Sequence, residues 1–197
     1  MTRSFFSAFL LAAILSFQAS AAEAEREAVA HHDMTLRLDV ERSVLIVQDR
    51  IHLNRSKPIT LRLGTGISGL RLRLDGRDRT STCSSDGVCP IAFKTPGPHD
   101  IDIEYHRPIS IIDSAWVFLE EGTGWHPEIA DLGFIYRILL DLPEAWKGVV
   151  PGRLVQEQTE KGRYRAVFEN EAPGYSLVLM AGDYEVTEKS HGEILLR

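Results

Sequence analysis

Apolar residues recur at every second position along most of this chain, and that spacing constrains the fold more than any other feature. Met34, Leu36, Leu38 and Val40 alternate with Thr35, Arg37 and Asp39. Beyond a turn at Glu41-Arg42, Leu45, Val47, Ile51 and Leu53 share one parity, with Asp49 the exception. The pattern returns at Leu61 and Leu63, at Leu70, Leu72 and Leu74, and at Ile101, Ile103 and Tyr105. It recurs at Tyr136, Ile138, Leu140 and Leu142, and at Tyr164, Ala166 and Phe168. On a pleated strand this spacing sends apolar side chains to one face and charges to the other. Sheets with one dry and one wet face are antiparallel. Asp75-Gly76, Asp86-Gly87, Pro96-Gly97-Pro98, Pro151-Gly152 and Pro173-Gly174 punctuate the runs. The expected fold is all-β: an antiparallel β-sandwich or open, saddle-like sheet. Leu177 to Ala181 is unbroken apolar sequence and reads as a strand buried on both faces.

The N-terminus reads as an address. Arg3 precedes an uncharged apolar run from Phe5 to Phe17, and Ala19-Ser20-Ala21 offers a small-x-small cleavage pattern just before Glu23 and Glu25. The alternative is a retained anchor, but a bilayer-spanning helix needs roughly 20 apolar residues and this run is shorter. The expected organisation is a signal peptide over 1–21, a flexible arm over 22–30, one all-β domain over 31–188, and the start of a further segment over 189–197. No later segment has membrane-spanning length, so the exported chain is expected in the periplasm or outside the cell. A net charge of −6 gives no electrostatic reason to hold nucleic acid.

Cys83 and Cys89 flank a turn at Asp86-Gly87. In an oxidising compartment such a pair is a disulfide staple, with Cα atoms expected roughly 4.4–6.8 Å apart. The other reading is a redox or metal pair, but two soft ligands with no histidine close in sequence do not make a zinc site. Seven histidines are present, without a His-Glu-x-x-His motif. His31 and His32 are neighbours on a strand, point to opposite faces, and cannot share an ion without a bend. No Gly-x-Ser-x-Gly elbow occurs. Arg71 and Arg73, with Arg77 and Arg79, read as a solvated edge or as a ligand site. The segment Gly124-Trp125-His126-Pro127 is the most distinctive loop, and its Trp is either a packing plug or a platform for a ligand or partner.

Four stretches, in order, resemble the N-terminal β-domain of the M1 family of zinc aminopeptidases, especially its exported bacterial members. They are His32 to Asp39 with the hairpin into Val44 to Leu53; Gly124-Trp125-His126-Pro127, where His126 stands in place of the more usual Tyr or Phe; Phe134 to Pro143 followed by Trp146 and Val149; and Pro173 with Tyr175 to Val186. In that family the zinc ligands lie in a later domain, and a Gly-x-Met-Glu-Asn loop grips the substrate amine. Neither motif occurs here, so no catalytic residue carries over.

The resemblance implies a non-catalytic domain without a cofactor of its own, which caps a zinc domain and shapes substrate access. The expected partner is that zinc domain, separate or downstream, with peptides as further ligands. The alternative is a stand-alone periplasmic binding or adaptor module. If the domain is severed from its zinc domain, an apolar surface is left wet, and Trp125, Pro127 and the Ile194-Leu195-Leu196 run are its expected contributors.

Overall fold

The structure is a computed structural model. It describes residues 29–113, 115–187, 189–191 and 194–196, the last two segments by their backbone alone. The expected signal peptide, most of the expected arm, and the side chains of Ile194, Leu195 and Leu196 lie outside the described residues.

The strands, in chain order, begin with β1 (Val29–Asp39), β2 (Val44–Asn54), β3 (Ile59–Arg62), β4 (Ser68–Leu74), β5 (Arg77–Asp78) and β6 (Val88–Ile91). Next come β7 (Pro98–Pro108), β8 (Trp116–Leu119), β9 (Glu128–Ile129), β10 (Gly133–Pro143) and β11 (Lys147–Val149). The last are β12 (Arg153–Glu160), β13 (Arg163–Gly174), β14 (Leu179–Gly182), β15 (Lys189–His191) and β16 (Ile194–Leu196). One 3-10 turn at Thr80–Thr82 is the only helical element among the described residues. Strand β1 starts at Val29, so the last two residues of the expected arm belong to it.

An eight-stranded sheet in the order β12-β13-β10-β1-β2-β7-β4-β5 forms the body. Two three-stranded sheets, β11-β14-β8 and β6-β3-β9, accompany it, and β15 and β16 pair as a separate ladder. Among the described residues the sheets stay open and none closes into a barrel. The period-two parity is obeyed: Met34, Leu36 and Leu38 of β1, Leu45, Val47 and Ile51 of β2, and Ile138, Leu140 and Leu142 of β10 are all buried. Strand β11 lies on this dry face, because a Cβ placed on Gly148 would come within 2.7 Å of Leu142 and 2.8 Å of Leu140. At roughly 25 cal/mol per Å² of buried apolar surface, this layer is the main stabilising term.

Two expectations need correction. The main sheet is not wholly antiparallel, because β1 and β10 pair in parallel along nine positions from Val29↔Gly133 to Arg37↔Asp141. Hairpins enforce antiparallel pairing only between strands joined by short turns. Here β10 reaches β1 after the chain has passed through both small sheets. Nor is Leu177 to Ala181 buried on both faces: Leu177, Leu179 and Ala181 are buried, while Met180 in the middle is 45% exposed.

Candidate functional site

The Gly124–Pro127 loop turns inward. Trp125 is fully buried, and His126 and Pro127 are buried beside it. The Tyr105 hydroxyl donates to the Trp125 carbonyl at 3.0 Å. Gly124 has φ +64°, and a Cβ there would lie 2.6 Å from the Gly64 Cα. The Gly64 N–H donates to the Gly124 carbonyl at 2.8 Å. Arg107 closes the outside by donating to the carbonyls of Thr123 at 2.7 Å and Thr65 at 3.3 Å. The geometry is that of a packing plug, and the loop presents no platform at the surface.

Around the plug lies a buried polar group that period-two reading could not assemble. Asp49, the parity exception of β2, faces the core and takes a 2.7 Å hydrogen bond from His32 Nδ1 on β1. His126 stacks edge-on against Trp125, with ring centres 4.9 Å apart, and leans on Phe134 at 5.7 Å. Burial, aided by the nearby His32, drives the His126 pKa down to about 4 despite its contact with the Pro127 carbonyl, so the ring is neutral at pH 7. Glu128, 3.9 Å from His126 Nε2, is pushed up, mainly by burial. Burial also lifts Tyr105 well above its ordinary value, with the negative Asp49 adding to it. The set holds acid–base groups, yet His32, Asp49 and His126 are all buried.

The wet face of the main sheet has a different character. One row crosses all eight strands with strictly alternating charge: Arg153, Glu169, Arg137, Asp33, Arg50, Asp102, Arg73 and Asp78 stand opposite one another in turn. Arg153 and Arg137 reach Glu169 at 2.9 and 3.3 Å, and Arg50 reaches Asp102 at 2.7 Å. In the next row Arg71 reaches Glu104 at 3.3 Å. The concavity over these rows has a volume of about 520 Å³. Because each charge already faces its opposite, the hollow carries little net field for an ionic ligand. Such exposed pairs contribute little each to stability. Their larger effect is on register, since a one-residue slip would drive every charge of that strand into the core. Arg71 and Arg73 are thus parts of a self-neutralised face.

Cys83 and Cys89 are disulfide-bonded, with Cα atoms 4.1 Å apart, slightly closer than expected. The Thr80–Thr82 turn brings them together, with Cys83 N–H donating to the Thr80 carbonyl at 3.2 Å and Ser84 N–H to the Val88 carbonyl at 2.9 Å.

The unpartnered surface lies elsewhere, on the outer face of β11-β14-β8. Val149, Met180 and Phe118 stand in one cross-strand row. Trp116 is two residues from Phe118 on the same face and is bridged to Ile112. All five side chains are between 38% and 46% exposed. Gly182 allows β14 to pass Trp116, since a Cβ there would sit 2.7 Å from the Trp116 Cβ.

No family model and no curated protein matches the sequence. Solved structures do match. The M1 zinc metallopeptidase of Deinococcus radiodurans superposes with a TM-score of 0.62 at 14% identity, covering 84% of this chain and 45% of that one. The aminopeptidase A of Legionella pneumophila, solved with aspartic acid, gives a TM-score of 0.65 at 12% identity, covering 81% of this chain and 22% of that one. The chain shares its fold with part of the M1 zinc metallopeptidases. It spans less than half the length of either.

Zinc is named in the Deinococcus radiodurans protein. The sequence lacks His-Glu-x-x-His, and among the described residues no three or more His, Cys, Asp or Glu side chains gather to hold an ion. No helix among them is long and apolar enough to cross a membrane.

Proposed function

We propose that this chain is the non-catalytic β-domain of an exported, M1-type metallopeptidase system, and that it docks against a zinc domain and shapes how peptides reach it. The observation that carries the reading is the apolar row Val149-Met180-Phe118 with Trp116 and Ile112. Large aromatics at over a third exposure on one sheet face are what a domain shows where another domain normally covers it. The shared fold supports the class of system, and the Cys83–Cys89 disulfide is compatible with export. In this reading the chain brings no cofactor, and zinc is held by the partner domain.

The test is an aminopeptidase assay on the purified chain, with and without added zinc. No turnover is expected in either case. Zinc-dependent turnover that persists through repeated purification would overturn the reading. The DNA following codon 197, or the neighbouring gene, distinguishes the stand-alone adaptor: a frame encoding His-Glu-x-x-His favours the peptidase system, and its absence from the genome favours the adaptor.

A further inference from the structure

We infer that His31 and His52 form a surface site for a divalent transition cation, zinc or a chemical neighbour, with Asp100 as the positioning carboxylate. The three residues stand opposite one another on β1, β2 and β7. All three are exposed. The two imidazole centres are 5.8 Å apart. With a metal–nitrogen bond of roughly 2.0–2.1 Å, each ring centre lies roughly 3.2 Å from an ion it ligates, so two rings at a tetrahedral angle sit roughly 5.3 Å apart. The observed pair is within about half an ångström of that spacing, a side-chain rotation away.

Asp100 also orients the His52 ring. Asp100 Oδ1 lies 2.6 Å from His52 Nδ1. An ionised carboxylate only accepts, so Nδ1 is the donor to Asp100, and Nε2 is the nitrogen left to face a metal. Carboxylate–histidine–metal chains of this form orient the ring and raise its basicity as a ligand. Asp100 is itself held, its N–H donating to Asp75 Oδ1 at 3.0 Å. In the neighbouring row on the same face, Asp33 stands between Arg137 and Arg50, and Asp102 between Arg50 and Arg73. With two imidazoles supplied by the chain, water or a donor from a docked partner completes the shell. This set is unrelated to the His-Glu-x-x-His ligands of a peptidase zinc, and it does not rest on the proposed function.

Isothermal titration of the untagged, full chain with zinc chloride at pH 7.5 tests the inference. One equivalent is expected to bind. His31→Ala or His52→Ala should each weaken binding at least tenfold, and Asp100→Asn by about 10–100-fold, the usual effect of removing a carboxylate behind a ligating histidine. His106→Ala, on the same face but outside the site, should leave affinity unchanged. Circular dichroism checks that each variant is folded. No saturable zinc binding, or binding insensitive to both histidine variants, overturns the inference.

Discussion

Replacing Trp125 by alanine should be among the most damaging single changes outside the sheets. The side chain is fully buried, and a large aromatic in that state buries about 150–250 Å². At roughly 25 cal/mol per Å² the transfer term alone is about 4–6 kcal/mol, and measured losses for Phe or Trp to Ala run about 3–5 kcal/mol. No hydrogen bond is lost with the ring, because the buried indole N–H has no partner among the described residues. The loop's anchor to Tyr105 uses the Trp125 carbonyl, which the variant retains. The expected cost is therefore about 3–5 kcal/mol, from packing alone. For a chain of this size that lowers the melting temperature by roughly 6–20 °C. Urea unfolding followed by far-UV circular dichroism reads the loss, with Trp125→Phe expected to lose less because most of the volume remains. If Trp125→Ala unfolds at the parent's urea midpoint, the plug reasoning is wrong and the loop is free to act as a platform.

Three further outcomes are expected. Both nitrogens of His99 face acceptors, Asp75 at 2.8 Å and the Thr95 carbonyl at 2.9 Å; burial opposes the ring's charge, but these partners outweigh it and raise the pKa. Its stabilisation should thus be full below the unfolded value of about 6.5, then fade as pH rises through the higher folded value; an NMR titration midpoint below that of a free histidine would refute this. Gly124→Ala combines a positive φ with a backbone atom 2.6 Å from the new Cβ, so it should cost more than the roughly 1 kcal/mol of conformation alone, read as a lowered melting temperature. Replacing both Cys83 and Cys89 by serine opens a short loop and should cost about 2 kcal/mol in the chain-entropy model; an unchanged urea midpoint would mean the staple contributes nothing.

Periodicity made the strands legible because polar residues mark the wet side. Where both sides of a strand are apolar the mark disappears. Trp116-Val117-Phe118-Leu119 has Val117 and Leu119 buried and the two aromatics outside, a distinction nothing local encodes. Leu177 to Ala181 misled for the same reason. Asp49 was visible as an exception, but its partner His32 lies a diagonal step away on β1, and only register shows it. The charge row over eight strands and the pairing of His31 with His52 likewise depend on which strands are neighbours. Trp125 could be singled out as plug or platform from the glycines beside it; the choice came from Gly64, sixty residues earlier, whose backbone leaves no room for a looser loop.

The docking claim is tested most directly by mixing the purified chain with an M1-type zinc domain from the same genome and measuring sedimentation. A one-to-one complex is predicted, lost in the variant carrying Phe118→Asp and Met180→Asp, whose circular dichroism should match the parent. A chain that sediments alone beside such a domain, or a complex indifferent to those two substitutions, would contradict it.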